Sequence, residues 1–281
     1  MTDNDVLLKE NKVNQPIVKA DIHPTAIIGD HVIIGQNVSI GPYSVISDNV
    51  KIGDNCQIMS HVVISGNSLI GKNNQIFSFA SIGSAPQDLK FSGENSSLKI
   101  GDNNIIREYV TINPGTKGGG MVTHIGSNCL FMIGSHIAHD CIIGDHVVIA
   151  NNSAIAGHVE IGDHAIIGGL SGIRQFIRIG AHAMIGGMTG VENDVIPYGQ
   201  AVGERAFLSG LNLVGLKRRG FSKENINNLR RAFKLLFNDS NVLNKRVEIV
   251  QDMFQDDDYV QNIVDFILEG QNNSVCQPKN D

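Results

Sequence analysis

Isoleucine recurs every six residues along most of this chain, and that period admits very few folds. One run goes unbroken from Ile22 through Ile28, Ile34 and Ile40 to Ile82. A second takes in Ile100, Ile106 and Ile112, and a third extends from Ile125 to Val191 with Phe131 as its other exception. An amphipathic helix repeats every 3.6 residues and cannot hold a six-residue stripe on one face. Short extended faces meeting at regular corners can, each about 20 Å long at roughly 3.3 Å per residue. The isoleucine points inward. Glycine often follows it (Gly29, Gly35, Gly53, Gly144, Gly162), where tight or positive-φ backbone is expected. The fifth position is small or β-branched, as at Val38, Ser44, Cys141 and Val147. The pattern predicts a parallel β-helix.

The hexads resemble those of the hexapeptide-repeat transferases. That resemblance implies a left-handed coil, three faces and 18 residues to a turn, assembled as a homotrimer. Two insertions interrupt the repeat. Residues 88–99 add two hexads and keep the phase, whereas the seven residues 118–124 shift it by one. Loops that leave a rigid solenoid are where binding groups tend to sit.

Thirty-three isoleucines lie in the first 200 residues and four in the last 81, so the repeat does not extend to the end. The expected fold class is mainly β: a left-handed parallel β-helix over 21–203 and a C-terminal α-helical domain over 204–281. Ile226, Leu229, Phe233, Leu236 and Phe237 share one helical face within 222–237, with Ser222 as N-cap. A second helical stretch covers 243–269, broken near Asp256–Asp258. Residues 1–20 read as a mobile tail.

With aromatic content of 5% and no Trp, the core must be aliphatic. A net charge of −6 argues against a nucleic-acid binder. No apolar run reaches the length of a membrane span, so stable membrane insertion is not expected. The start of the chain lacks the marks of a secretory signal, and Cys56, Cys129, Cys141 and Cys276 form no CxxC pair. A reduced, cytoplasmic protein is expected.

Chemistry concentrates at His136-Ile137-Ala138-His139-Asp140. Eighteen residues beyond His139 is Gly157, and eighteen further is Gln175, so the three should stack in one column, with His158 beside it. An imidazole near its neutral pH range can take a proton from an alcohol. Asp140 can orient it, and a bare glycine N–H can stabilise an oxyanion. Lys217-Arg218-Arg219 suits a phosphate, while Arg230, Arg231 and Lys234 read as a solvated helix face. On spacing alone three other readings stay open. One is a zinc site of His136, His139 and His158, although the HIAHD string does not match the γ-class carbonic anhydrases. The others are a transferase using coenzyme A thioesters or an amine acceptor, and a solenoid without activity.

The strings FASIGSAPQDLKFSGE (79–94), HIAHDC (136–141), ANNSAIAGHV (150–159), AIIGG (165–169) and GLKRRGFS (215–222) together resemble the acyl carrier protein–UDP-N-acetylglucosamine O-acyltransferases, which begin lipid A synthesis. The resemblance covers about 21 to 238. It implies transfer of a 3-hydroxyacyl group from acyl carrier protein to the sugar 3-hydroxyl, with no cofactor beyond the carrier's phosphopantetheine and no metal. It implies His139 as base, Asp140 as its partner and Gly157 as oxyanion donor. Asp88, Lys90, His136, His158 and Gln175 would bind substrate. Asn212 and Arg219 would lie toward the nucleotide or pantetheine, Arg218 toward the carrier, and Gly187 falls where the family sets acyl length, a glycine there implying a long chain. The chain departs from the family pattern at Arg174, Val214 and Asn113-Pro114.

Overall fold

In the structure, a computed structural model describing residues 20–238, 241–270 and 274–279, the six-residue period becomes a left-handed coil of three parallel faces. The first face has eleven strands, from Asp21–Ile22 to Phe207–Leu211; the second has nine, from Ile27–Ile28 to Gly190–Val191. The third has eight, from Ile33–Ile34 to Arg178–Ile179. Inward isoleucines stack in register, Ile40 on Ile58, Ile137 on Ile155 and Ile143 on Ile161. Most are wholly buried, and each such side chain contributes about 1.5–3 kcal/mol. Small residues fill the inner corners. Where these are polar they bond to the next coil's backbone, as Ser44 Oγ does to the Met59 carbonyl (2.8 Å) and Ser153 Oγ to that of Gly168 (2.9 Å).

The corner glycines have a different cause from the one expected. Positive φ falls on Asn55 (60°), Asn73 (57°), Asp140 (59°) and His158 (61°) and, among the glycines after hexad isoleucines, on Gly83 (78°) but not on Gly29, Gly35, Gly53, Gly144 or Gly162. Asparagine and aspartate tolerate this region best among side-chain-bearing residues. Gly53 is needed because coils approach too closely: a Cβ there would lie 2.7 Å from the Gly71 backbone. His146 and His164 occupy such corners too, with rings stacked at 4.5 Å.

Both insertions leave the second face, after Ser81–Ile82 and Thr111–Ile112, and return to the third at Ser97–Ile100 and Val122–Ile125. They therefore project from the same edge of the prism, one coil apart. This edge is called the loop edge below.

The expected division at 203/204 runs through a hairpin, Gly199–Val202 with Phe207–Leu211. Helices follow: α1 (Leu213–Arg218), α2 (Lys223–Leu236), α3 (Leu243–Met253) and α4 (Asp258–Glu269). Helix α1 escaped the sequence pattern, being too short for a periodic stripe. Ser222 caps α2 by accepting the Asn225 N–H (3.0 Å). Asp257 caps α4, which explains the break near the acidic run. The expected N-terminal tail lies, apart from Ala20, outside the described residues. No helix among the described residues is long and apolar enough to cross a membrane.

Arg178 fastens the helices to the coil. Its Nε donates to the wholly buried Asp194 Oδ2 (2.8 Å), and its Nη2 donates to the Phe266 carbonyl on α4 (2.8 Å). The guanidinium also lies 4.2 Å from the Phe266 ring centroid. Arg178→Ala leaves a buried carboxylate short of a donor and is expected to cost about 3–5 kcal/mol. The urea midpoint should fall and α4 should become protease-sensitive first; an unchanged midpoint would contradict this docking role.

Candidate active site

The loop edge gathers the histidines. The strand His136–Ile137 pairs with Ala154–Ile155 and that with Gly172–Ile173, so the residues just after them line up along one corner. His139 and Gly157 meet there: a Cβ on Gly157 would lie 2.6 Å from His139 Cε1 and 2.8 Å from Nε2. Glycine is required because the imidazole occupies the space. The Gly157 N–H finds no acceptor among the described residues. An open groove of about 490 Å³ follows this edge, lined among others by Gln87, Asn113, His136, His139, Gly157 and Gln175.

Asp140, its side chain wholly buried, accepts from His139 Nδ1 at 2.8 Å. Its carboxylate oxygens also take the Thr116 N–H (2.8 Å) and hydroxyl (2.6 Å). A carboxylate with such donors only accepts, so the neutral His139 ring carries its proton on Nδ1 and turns the Nε2 lone pair away from Asp140. His158 packs edge-on to His139 (centroids 5.1 Å apart) and lies flat on Phe176 at 4.4 Å. Burial, then His139, holds the His158 imidazole below its ordinary pKa against the opposing charges of Asp140 and Asp88. Burial does the same for His136, whose Nδ1 lies 2.7 Å from Thr111 Oγ1. Both rings are thus kept neutral near pH 7.

The zinc reading needs three convergent histidines. The ligand atoms within 4.8 Å of one another are those of His139, His158 and Asp140 instead, and His136 is not among them. Both Asp140 oxygens are already committed to Thr116 and His139.

The first inserted loop brings Asp88 toward His158. Lys90 is exposed there, its N–H on Asp88 Oδ1 (3.0 Å). The two loops are joined by Glu94, whose carboxylate accepts the Lys117 N–H (3.0 Å) and the Ser92 N–H (2.9 Å). Those N–H groups, Lys117 foremost, pull the Glu94 pKa from 4.5 down to about 2.

Other expected site residues lie at other edges of the same chain. Gly187 follows the strand Met184–Ile185, at the edge between the first and second faces. Asn212 caps α1 and donates to the His182 carbonyl (2.9 Å), and Arg219 Nη2 donates to that of His164 (2.8 Å), at the edge between the third and first faces. Arg218 is exposed on α1. Arg219 Nη1 is buried without a partner. Sequence reasoning missed Thr116 and Asn113. Their signal was positional: Thr111 pairs with His136, 25 residues on, so both flank the corner one coil below His139.

Gly157→Ala is expected to displace the imidazole and lower kcat about 100-fold while the thermal transition is retained; steady-state kinetics beside a melting curve reads both. The Glu94 contact is expected to be complete above pH 4.5 and to be lost as pH falls from there through about 2. Pepsin cleavage within 84–121 should rise over that interval, and Glu94→Gln should already be cut faster at its upper end.

Comparison with known proteins points to one family. The family model described as UDP-N-acetylglucosamine O-acyltransferase, domain 2, matches residues 194–276, and that described as bacterial transferase hexapeptide (six repeats) matches 31–66 and 123–157. The chain is 57% identical over 201 residues to the acyl-(acyl-carrier-protein)–UDP-N-acetylglucosamine O-acyltransferase of Methylobacterium radiotolerans, covering 72% of this chain and 74% of that one. It is 49% identical over 258 residues to the enzyme of the same name from Rickettsia bellii, covering 92% of each. Among solved structures, the UDP-N-acetylglucosamine O-acyltransferase of Moraxella catarrhalis superposes with a TM-score of 0.89 at 41% identity, over 91% of this chain and 99% of that one. With a hexad coil, a His–Asp pair against a bare glycine and relatives of this closeness, the chain belongs to the acyl-(acyl-carrier-protein)–UDP-N-acetylglucosamine O-acyltransferases.

Proposed function

We propose that this chain transfers a 3-hydroxyacyl group from acyl carrier protein to the 3-hydroxyl of UDP-N-acetylglucosamine, the first step of lipid A biosynthesis. The observation that carries this reading is the His139 ring, held by Asp140 through Nδ1 and packed with Nε2 against Gly157 in an open groove. In the reaction, Nε2 takes the proton of the sugar hydroxyl as its oxygen attacks the thioester carbonyl. The charge that develops on the carbonyl oxygen is met by the Gly157 N–H. Collapse expels the pantetheine thiolate, which receives the proton from the imidazolium. Asp140 stabilises that imidazolium in between.

Around this centre, Asp88, Lys90, His136, His158 and Gln175 hold substrate. Gly187 has almost open space before it, a Cβ meeting only the Gly169 carbonyl oxygen at 3.3 Å. It leaves room for a long acyl chain, and a bulky residue there would shorten the chain accepted. Arg219, half-buried at its edge, would turn its guanidinium to a phosphate. Asn212 caps the start of α1, and Arg218, exposed at its other end, would face the acidic carrier protein. The coil of 21–203 thus supplies the chemistry, and 204–281 receives the nucleotide and carrier.

A homotrimer suits the three edges. One prism cannot turn its three corners toward one groove, but a neighbouring copy can bring its Gly187 or Arg219 edge beside the loop edge of the first. A cytoplasmic setting suits four cysteines that are all unpaired.

His139→Ala is expected to abolish acylation of UDP-N-acetylglucosamine by carrier-protein thioesters while the trimer persists on gel filtration. Mass spectrometry of products from thioesters of several lengths reads both turnover and chain preference. Normal turnover by the variant removes His139 from the role of base.

A further inference from the structure

Proton removal by His139 depends on the carboxylate behind it, and that carboxylate is held by a loop as well as by the coil. The backbone of Asp140 sits in the left-handed region (φ 59°), with its N–H on Thr123 Oγ1 at 2.8 Å. Its side chain is gripped from the second inserted loop. Thr116 N–H donates to Oδ1 at 2.8 Å, and the Thr116 hydroxyl donates to Oδ2 at 2.6 Å. Oδ2 is the oxygen that also accepts from His139 Nδ1. Thr116 is itself buried, and its carbonyl accepts the N–H groups of Gly119 (3.1 Å) and Met121 (3.0 Å), which closes the loop into a tight turn. Gly119 presses its backbone on the carboxylate: a Cβ there would lie 2.1 Å from Asp140 Cγ.

We propose that Thr116 is a positioning residue for acyl transfer, its N–H and hydroxyl fixing both Asp140 oxygens so that Oδ2 faces His139 and Nε2 is presented to the sugar hydroxyl. The inference rests on the reading of His139 as the base. Two donors on one carboxylate lock its rotation about the Cβ–Cγ bond, which neither His139 nor Thr123 does alone. The hydroxyl also withdraws charge from Oδ2. Without it Asp140 attracts the imidazolium more strongly, and His139 stays protonated to higher pH. The other titratable groups facing His139 are His136 and His158, with Asp88 acting on His158. None of them touches Thr116, so a shift in the pH profile reports on Asp140.

The test compares Thr116→Val, Thr116→Ser and His139→Ala in the full-length protein, assayed with a 3-hydroxyacyl carrier-protein thioester and UDP-N-acetylglucosamine. Valine is expected to lower kcat roughly 10- to 100-fold, leave KM for the sugar nucleotide within about twofold of the native value, and move the acidic limb of the pH profile upward. Serine keeps the donor and is expected to restore most of kcat with the limb unmoved. Should valine prevent folding, serine still decides the matter: a limb displaced in the serine enzyme overturns the inference, as does a valine enzyme with native kcat and profile. A valine enzyme that loses activity with its limb in place also overturns it, because a merely structural residue behaves that way. If His139→Ala is inactive while Thr116→Val is unchanged, only this inference falls. If His139→Ala turns over normally, the base assignment falls first.

Discussion

Each coil is tied to the next by backbone hydrogen bonds that fix where the residue eighteen positions on must lie. From Ala138 N–H to the Ile155 carbonyl, and from Ala156 N–H to that of Ile173, the chain repeats one contact at one spacing. Side chains along an edge are therefore set by backbone, not by their own affinity for each other. His139 meets Gly157 for the same reason that Ile137 meets Ile155. A catalytic group on such a frame loses little freedom on binding substrate, because the frame has already taken it away.

That frame was largely readable from the amino acids alone. A six-residue period of isoleucine has no other economical explanation, and adding eighteen to His139 arrives at Gly157 without coordinates. Helix α2 was legible through its cap and stripe, and the break between α3 and α4 through the acidic run Asp256–Asp258. What stayed hidden needed three dimensions. Thr116 reaches Asp140 from a loop, where no period applies. Helix α1 is one and a half turns long, too short for a pattern. The corner residues were misread because positive φ and close approach both favour glycine in sequence, and only the coil contacts separate them: Asn55 takes the first and Gly53 the second.

The distribution of groups over three edges gives the fold its division of labour. At the loop edge, burial keeps His136 and His158 neutral while Asp140 supplies one fixed negative charge behind His139. At the edge next to α1, burial and the neighbouring His164 and Arg219 push His182 down to about 4, so a second set of rings is also held neutral, beside a guanidinium. One edge is arranged around an anion and a base, the other around a cation. Each is suited to a different part of a charged, extended substrate.

Both insertions escape at a single corner and rejoin the next face with the isoleucine ladder intact, Ile70 over Ile100 and Ile100 over Ile125. Twelve extra residues and seven are absorbed equally well, so the prism is indifferent to how much polypeptide is spooled out there. A chain so built can gain or lose length in what overhangs the groove at no cost to the ladder, provided that the shorter loop still returns Thr116 to the Asp140 carboxylate.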